Sequence, residues 1–229
     1  MTLTDIPIPA IKRFLQFTQS TYVWAWSMMP SETHERVAID SWNRLRAAHA
    51  TLPIRSVLDV GCGTGRELEM FRASGARALG VTVNEEDAAE LRSRGFDILI
   101  ADQNFTDLPD NSFDLVWSRH CLEHSVAPFY TIAEYARIVK PNCICYVEVP
   151  EAGTRAKNEW NPNHYSLMPK VMWEELFVRV GFQIVERRLA TLDVAHEGGE
   201  QIDAEYDTWV CYFLRKVPQA VQMMVAPRG

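Results

Sequence analysis

Read for its hydrophobic and polar positions, the chain changes period twice. Over residues 1–52 the pattern is helical: Ile11, Phe14, Leu15, Thr18, Tyr22 and Trp26 recur at three- and four-residue spacing, and Trp42, Leu45 and Arg46 continue it after Pro30 and Ser31. Two helices without a closed core of their own are expected there, packed on the main body or covering a pocket. From Ser56, short apolar runs alternate with amphipathic stretches. The pattern predicts strands near 56–61, 77–83, 97–102, 113–119 and 143–149, and helices near 65–74, 84–94, 127–139 and 169–180. Gly75 and Gly95 stand where helices should end, and Asn84 before Glu85, Glu86 and Asp87 is a good acidic helix start. After Gly181 the period changes again. Phe182 to Leu192 and Tyr206 to Val217 read as a terminal antiparallel pair. The expected fold is α/β: a seven-stranded, mainly parallel, Rossmann-like sheet with helices on both faces, a C-terminal antiparallel hairpin and an N-terminal helical cap. The division expected is a cap over 1–52 and a main domain over 53–229.

Composition changes this picture little. A chain of 229 residues with 47% hydrophobic and 23% charged residues is long enough for one α/β domain with a substantial core. Five cysteines with no CxxC pair argue against a disulfide scaffold and for a reducing cytoplasm. The apolar residues near Lys12 and Arg13 are interrupted by Gln16, Thr18, Gln19 and Ser20, unlike a signal peptide, and no run approaches the ~20 apolar residues of a membrane span. A net charge of −7 argues against a broad nucleic-acid surface. So does the stretch Asp193, Glu197, Glu200, Asp203, Glu205, Asp207, which contains no Lys or Arg and reads as a solvated loop.

The chemistry concentrates around Val57-Leu58-Asp59-Val60-Gly61-Cys62-Gly63-Thr64-Gly65, a strand running into a glycine turn before a helix. Glycines let backbone approach a ligand closely, and the next helix begins with unpaired N–H groups. The spacing Gly61-x-Gly63-x-Gly65 departs from the G-x-G-x-x-G register of dinucleotide sites. Asp59 just before it disfavours a pyrophosphate and favours a cation such as an α-amino group.

With these residues in view, the sequence from about Val57 to Glu186 resembles the class I S-adenosylmethionine-dependent methyltransferases. Asp59 to Gly65 is similar to the motif that holds the methionine part of the cofactor. Asp102, with Gln103 beside it, resembles the acid that receives the adenine amino group. Leu108-Pro109-Asp110-Asn111-Ser112-Phe113-Asp114-Leu115-Val116, Leu122-Glu123-His124, Arg137-Ile138-Val139-Lys140-Pro141 and Tyr146-Val147-Glu148-Val149-Pro150 follow in the family's order. The resemblance implies S-adenosylmethionine as cofactor, a small-molecule methyl acceptor as partner, and cofactor contacts from Asp59, Gly61, Cys62, Gly63, Gly65, Thr82, Val83, Asn84, Asp102, Gln103 and Ser118. Two positions depart from the family pattern. Thr82 stands where an acid usually binds the ribose, leaving Asn84 or backbone to supply weaker neutral hydrogen bonds. Asn142-Cys143 replaces a two-glycine turn, which Asn can sustain because it tolerates positive φ.

Methyl transfer from a sulfonium needs no acid for its leaving group, but a hydroxyl acceptor must lose a proton. His124, after the fourth strand, is the first candidate base; its alternative role is to order the following loop with Glu123. His164, in Asn161-Pro162-Asn163-His164-Tyr165-Ser166, shares the base role or binds substrate, unless that stretch is only a connecting loop. The leading reading is methyl transfer to oxygen, with nitrogen second, of a sugar or natural-product intermediate, and it requires no metal. Two alternatives stand beside it: a metal-assisted methyltransferase on a phenol or an RNA end, using His120, Glu123, His124 and His164, and a cofactor-binding regulator without turnover.

Overall fold

The computed structural model describes residues 8–21, 32–50, 53–192 and 207–217. Tyr22 and Trp26 of the expected N-terminal helical pattern, and the acidic stretch from Asp193 to Glu205, lie outside them. The elements, in chain order, are α1 (Ile8–Thr21), α2 (Glu32–Ala48), β1 (Ser56–Val60), α3 (Arg66–Ala73), β2 (Arg77–Thr82), α4 (Glu85–Ser93), β3 (Asp97–Ile100), β4 (Phe113–Arg119), α5 (Pro128–Ile138), β5 (Val139–Pro150), α6 (Lys170–Arg179), β6 (Phe182–Leu192) and β7 (Asp207–Lys216).

The strands form one seven-stranded sheet in the order β3-β2-β1-β4-β5-β7-β6. β1 to β5 are mutually parallel, and β7 enters antiparallel between β5 and β6. This is the Rossmann-like arrangement expected, with the C-terminal hairpin at one edge.

Alternation along the strands divides the core. Leu58, Val116, Cys145 and Val147 face one side with Ile132 and Tyr135 of α5 and Trp173 and Phe177 of α6. Val57, Leu115, Trp117 and Tyr146 face the other, with Phe71 of α3 and Trp42 and Leu45 of α2. α2 therefore packs on the sheet, as its lack of a private core requires. α1 meets the body more lightly: Thr18 is buried, whereas Ile11, Phe14 and Phe17 are 47, 42 and 57% exposed.

Two boundaries differ from expectation. β3 ends at Ile100, leaving Asp102 in a turn where its Oδ1 accepts from the Asn104 backbone N–H at 2.6 Å. β5 begins at Val139, four residues early, because Val139 already pairs with Phe113. The turn signal of Pro141-Asn142 is real, with Asn142 at φ 64°, but it sits inside the ladder and shifts its register between Phe113 and Leu115.

The N-terminal ends of β1 and β4 are fastened by one side chain. Asp114 Oδ2 accepts from Arg55 N, Ser56 N and Ser56 Oγ at 2.9, 2.9 and 3.0 Å, and Asp114 Oδ1 accepts from Lys140 Nζ at 2.7 Å. Charge and hydrogen bonding hold the Asp114 carboxyl below its ordinary range despite partial burial. This fixes the register that delivers β1 and β4 to the opposite, C-terminal edge.

Candidate active site

Open α/β sheets bind ligands beyond the C-terminal ends of their parallel strands, and here the loops after β1, β2, β3, β4 and β5 gather at that edge. All three turn glycines take positive φ: 75° at Gly61, 49° at Gly63 and 81° at Gly65. Gly61 N and Cys62 N donate to Val81 O at 2.9 and 3.1 Å, tying the turn to the end of β2. A Cβ on Gly61 would stand 2.6 Å from Cys121 Sγ, so Cys121, two residues past β4, packs directly on this turn and only glycine fits there. Cys62 lies beneath the turn, buried with Leu68 and Leu91.

Asp59 is 3% exposed, and its Oδ2 has no hydrogen-bond partner among the described residues. Burial pushes its carboxyl well above the usual range, Glu67 pushes it further, and Arg119 offsets this only in part. A buried carboxyl with an oxygen unpartnered among the described residues, beside a glycine turn, has the chemistry to receive a cation.

The neighbouring candidates are already engaged. Thr82 Oγ1 accepts from Asn84 N at 3.1 Å, and Asn84 Oδ1 caps α4 by accepting from Glu86 N and Asp87 N at 2.9 and 3.1 Å. Val83 lies between them. Asp102 also accepts from Asn104 Nδ2 at 2.7 Å. Gln103 points inward: its Nε2 donates to Cys121 O at 2.9 Å and its Oε1 accepts from Tyr135 Oη at 2.7 Å. Ser118 is fully buried with its Oγ 3.1 Å from Tyr135 Oη. The structure thus brings Asp59 and the three glycines together at the turn, but encloses Ser118 and spends Gln103 on positioning Cys121.

Across the edge, the short 3-10 turn Leu122–His124 follows β4. His124 Nδ1 lies 2.8 Å from Asn163 O. A ring nitrogen facing a carbonyl must be the N–H donor, so the Nε2 lone pair of His124 is the basic one. His164 Nδ1 donates in the same way to Asn158 O at 2.8 Å, while its Nε2 accepts from Asn161 Nδ2 at 3.1 Å. The two rings are 5.0 Å apart, and Ser166 N donates to Glu123 O at 2.9 Å, pinning the loop after β5 against the turn. Ligand atoms of Glu123, His124 and His164 lie within 4.8 Å of one another. His120, at φ 45°, is not one of this trio but borders it. Its Nε2 lies 2.9 Å from Glu148 Oε1 and its Nδ1 3.7 Å from Glu123 Oε1. Against the effect of burial, these two acids raise its pKa to about 9, so it is an imidazolium at neutral pH.

Sequence reasoning missed the group behind His120. Arg119 bonds bidentately to Glu148, with Nε to Oε2 at 3.1 Å and Nη2 to Oε1 at 2.9 Å. It also pairs with Glu67 on α3 and donates to His34 O on α2 at 2.9 Å. Tyr146 Oη donates to Glu148 Oε2 at 2.7 Å and lies 2.8 Å from Ser41 Oγ of α2. His34 stacks on Trp209 with ring centroids 4.8 Å apart, and burial with neighbouring cations lowers its pKa to about 4. The one signal available was an acid, Glu148, inside an otherwise apolar strand.

Comparison with known proteins agrees with this layout. Residues 58–147 match the family model described as a methyltransferase domain. The chain is 28% identical over 163 residues to a probable S-adenosylmethionine-dependent methyltransferase of Mycolicibacterium smegmatis, covering 66% of this chain and 63% of the relative. It is 34% identical over 99 residues to the ubiquinone biosynthesis O-methyltransferase of Hahella chejuensis, covering 40 and 42%. The match thus takes in less than two thirds of either relative's length. Among solved structures, the chain superposes on the 1,6-didemethyltoxoflavin-N1-methyltransferase of Burkholderia thailandensis with a TM-score of 0.59 at 20% identity, covering 93% of each.

Proposed function

We propose that the chain is a class I S-adenosylmethionine-dependent methyltransferase that transfers a methyl group to an oxygen, with nitrogen the second choice, of a small polar metabolite such as a sugar or natural-product intermediate. The observation that carries this is Asp59, a buried carboxylate lacking a partner at Oδ2 beside a turn of three positive-φ glycines. Its chemistry suits the α-ammonium of the cofactor's methionine part. The bound cofactor supplies a methyl group on a sulfonium, whose departure as a neutral thioether needs no acid. What remains for the protein is to orient the acceptor and take its proton. His124 suits the second task, since Asn163 O engages its Nδ1–H and leaves Nε2 as the basic nitrogen. A base fixed in this tautomer favours a hydroxyl acceptor, because a neutral amine attacks without prior loss of a proton. His164 and the Asn158–Tyr165 loop form the acceptor side, and the helices within residues 1–52 act as a cap over the main domain.

The test joins calorimetry with S-adenosylhomocysteine to turnover on a panel of hydroxylated metabolites. His124→Ala should slow turnover by about 10²–10⁴-fold while leaving S-adenosylhomocysteine affinity near normal. Full activity in that variant would remove His124 as the base. Binding without turnover on any acceptor would favour a regulator.

One further reading has its own observation. Glu123, His124 and His164 are spaced to hold a divalent ion, which would lower the pKa of a phenolic or ribose hydroxyl. Metal analysis and chelator sensitivity separate the two readings: an active, metal-free, chelator-resistant enzyme leaves the base mechanism alone.

A further inference from the structure

We infer that Arg119 is a positioning residue that couples α2 to the glycine turn, so that this helix and the turn at Asp59 become ordered together. The inference rests on the cofactor reading above. Arg119 ends β4, and its side chain is only 8% exposed. Its guanidinium reaches three other elements at once: Glu67 in the first turn of α3, two residues past Gly65; both oxygens of Glu148 on β5; and the carbonyl of His34 in the first turn of α2. A planar fork can serve three directions simultaneously, which the point charge of a lysine cannot.

A second path runs to the same acid. Ser41 Oγ, fully buried on α2, meets Tyr146 Oη, which donates to Glu148. α2 is thus keyed into the sheet through polar groups converging on Arg119 and Glu148, in addition to the apolar contacts of Trp42 and Leu45.

The link to the turn is Glu67. It stands in the first turn of α3, two residues past Gly65, and pairs with Arg119, so its place depends on how the glycine turn is held. A ligand whose cation is held at Asp59 fixes the glycine turn, the start of α3 and with them the Glu67 carboxylate. Glu67 can then stay fully engaged with Arg119, and Arg119 keeps its grip on the His34 carbonyl. The cation therefore tightens α2 at a distance, and by reciprocity a docked α2 favours the cation.

Hydrogen exchange of the α2 amides, with and without S-adenosylhomocysteine, reads this directly. In the wild type, ligand should slow α2 exchange about tenfold. Glu67→Gln keeps the size of a side chain that is 19% exposed; it should fold, and its α2 protection should no longer respond to ligand. Arg119→Lys should lose the response as well and bind S-adenosylhomocysteine about tenfold more weakly. A purely structural role for Arg119 would leave the ligand-induced change in Glu67→Gln equal to that of the wild type, and that result overturns the coupling. So does wild-type protein that binds the ligand with no change in α2. Wild-type protein that does not bind S-adenosylhomocysteine at all would instead overturn the cofactor reading on which the coupling rests.

Discussion

Two buried acids on the same face of the sheet meet opposite fates. Asp59 on β1 lies in register with Trp117 on β4, which lies in register with Tyr146 on β5; Glu148 is two residues further along β5. Both carboxylates are removed from water, at 3 and 0% exposure. Glu148 is met by Arg119, His120 and Tyr146, and against burial the Arg119 and His120 charges hold its carboxyl well below the usual range. Asp59 has burial and Glu67 against it and keeps an oxygen without a partner. A buried charge costs several kcal/mol unless matched. Where the described residues supply the match, the acid is architecture; where they do not, the acid is the one proposed above to receive a ligand.

The strongest way to break this contrast is Glu148→Ala. It leaves the buried Arg119 and the partly exposed His120 without their shared counter-charge, and unfolding in urea should show a loss of about 3–5 kcal/mol. A loss below about 1 kcal/mol would make Glu148 no more structural than a surface acid. Asp59→Asn should do the reverse. The ligand-free protein should be at least as stable as the wild type, since a costly group has gone, while S-adenosylhomocysteine affinity falls by about 10–150-fold for the lost charged hydrogen bond. Destabilisation with unchanged affinity would put Asp59 in the same class as Glu148.

Proton linkage sharpens the comparison further. The raised carboxyl of Asp59 must release its proton to receive an ammonium, so affinity should rise with pH by up to about tenfold per unit until that pKa is passed, then level off. Titrations in buffers of different ionisation enthalpy should report up to one proton released in the wild type and fewer in Asp59→Asn. The matched group should show its linkage in stability. Glu148, with its pKa lowered, contributes stability above the unfolded glutamate value of 4.5 that fades as pH falls. His120, raised from 6.5 to about 9, contributes stability that is complete below 6.5 and lost as pH rises through about 9. His120→Asn should therefore flatten the alkaline decline in Tm, the smallest of these effects.

The contrast also marks what a sequence can disclose. Strand and helix positions followed from period, and Asn84 as a helix start followed from its own side chain, whose Oδ1 caps α4. Asp59 was legible because the glycine turn follows it directly. The Arg119 hub was not, because Glu148, Glu67 and His34 lie 29, 52 and 85 residues away along the chain. Alternation reports which face a residue takes and not which residues it meets there. Gln103 and Ser118 turned inward for the same reason, drawn to Tyr135 on α5 across 32 and 17 residues. At Pro141-Asn142 a correct turn signal gave a wrong strand start, since a turn within one strand and a turn between two carry the same residues.

The place of β7 has a consequence for how the chain is made. It is the last strand among the described residues but sits between β5 and β6, so during synthesis β5 and β6 must wait apart until Asp207–Lys216 emerges to join them. Until then the Trp117 and Tyr146 side of the core lacks Trp209, Cys211 and Phe213. Lys216 Nζ then lands on Asn111 Oδ1 at 2.7 Å and Val139 O at 2.8 Å, at the opposite end of the sheet from the proposed site. A ribosome that stalls before this strand leaves a nascent chain with a complete glycine turn but an open sheet edge on β5, the state most exposed to chaperones and to mispairing.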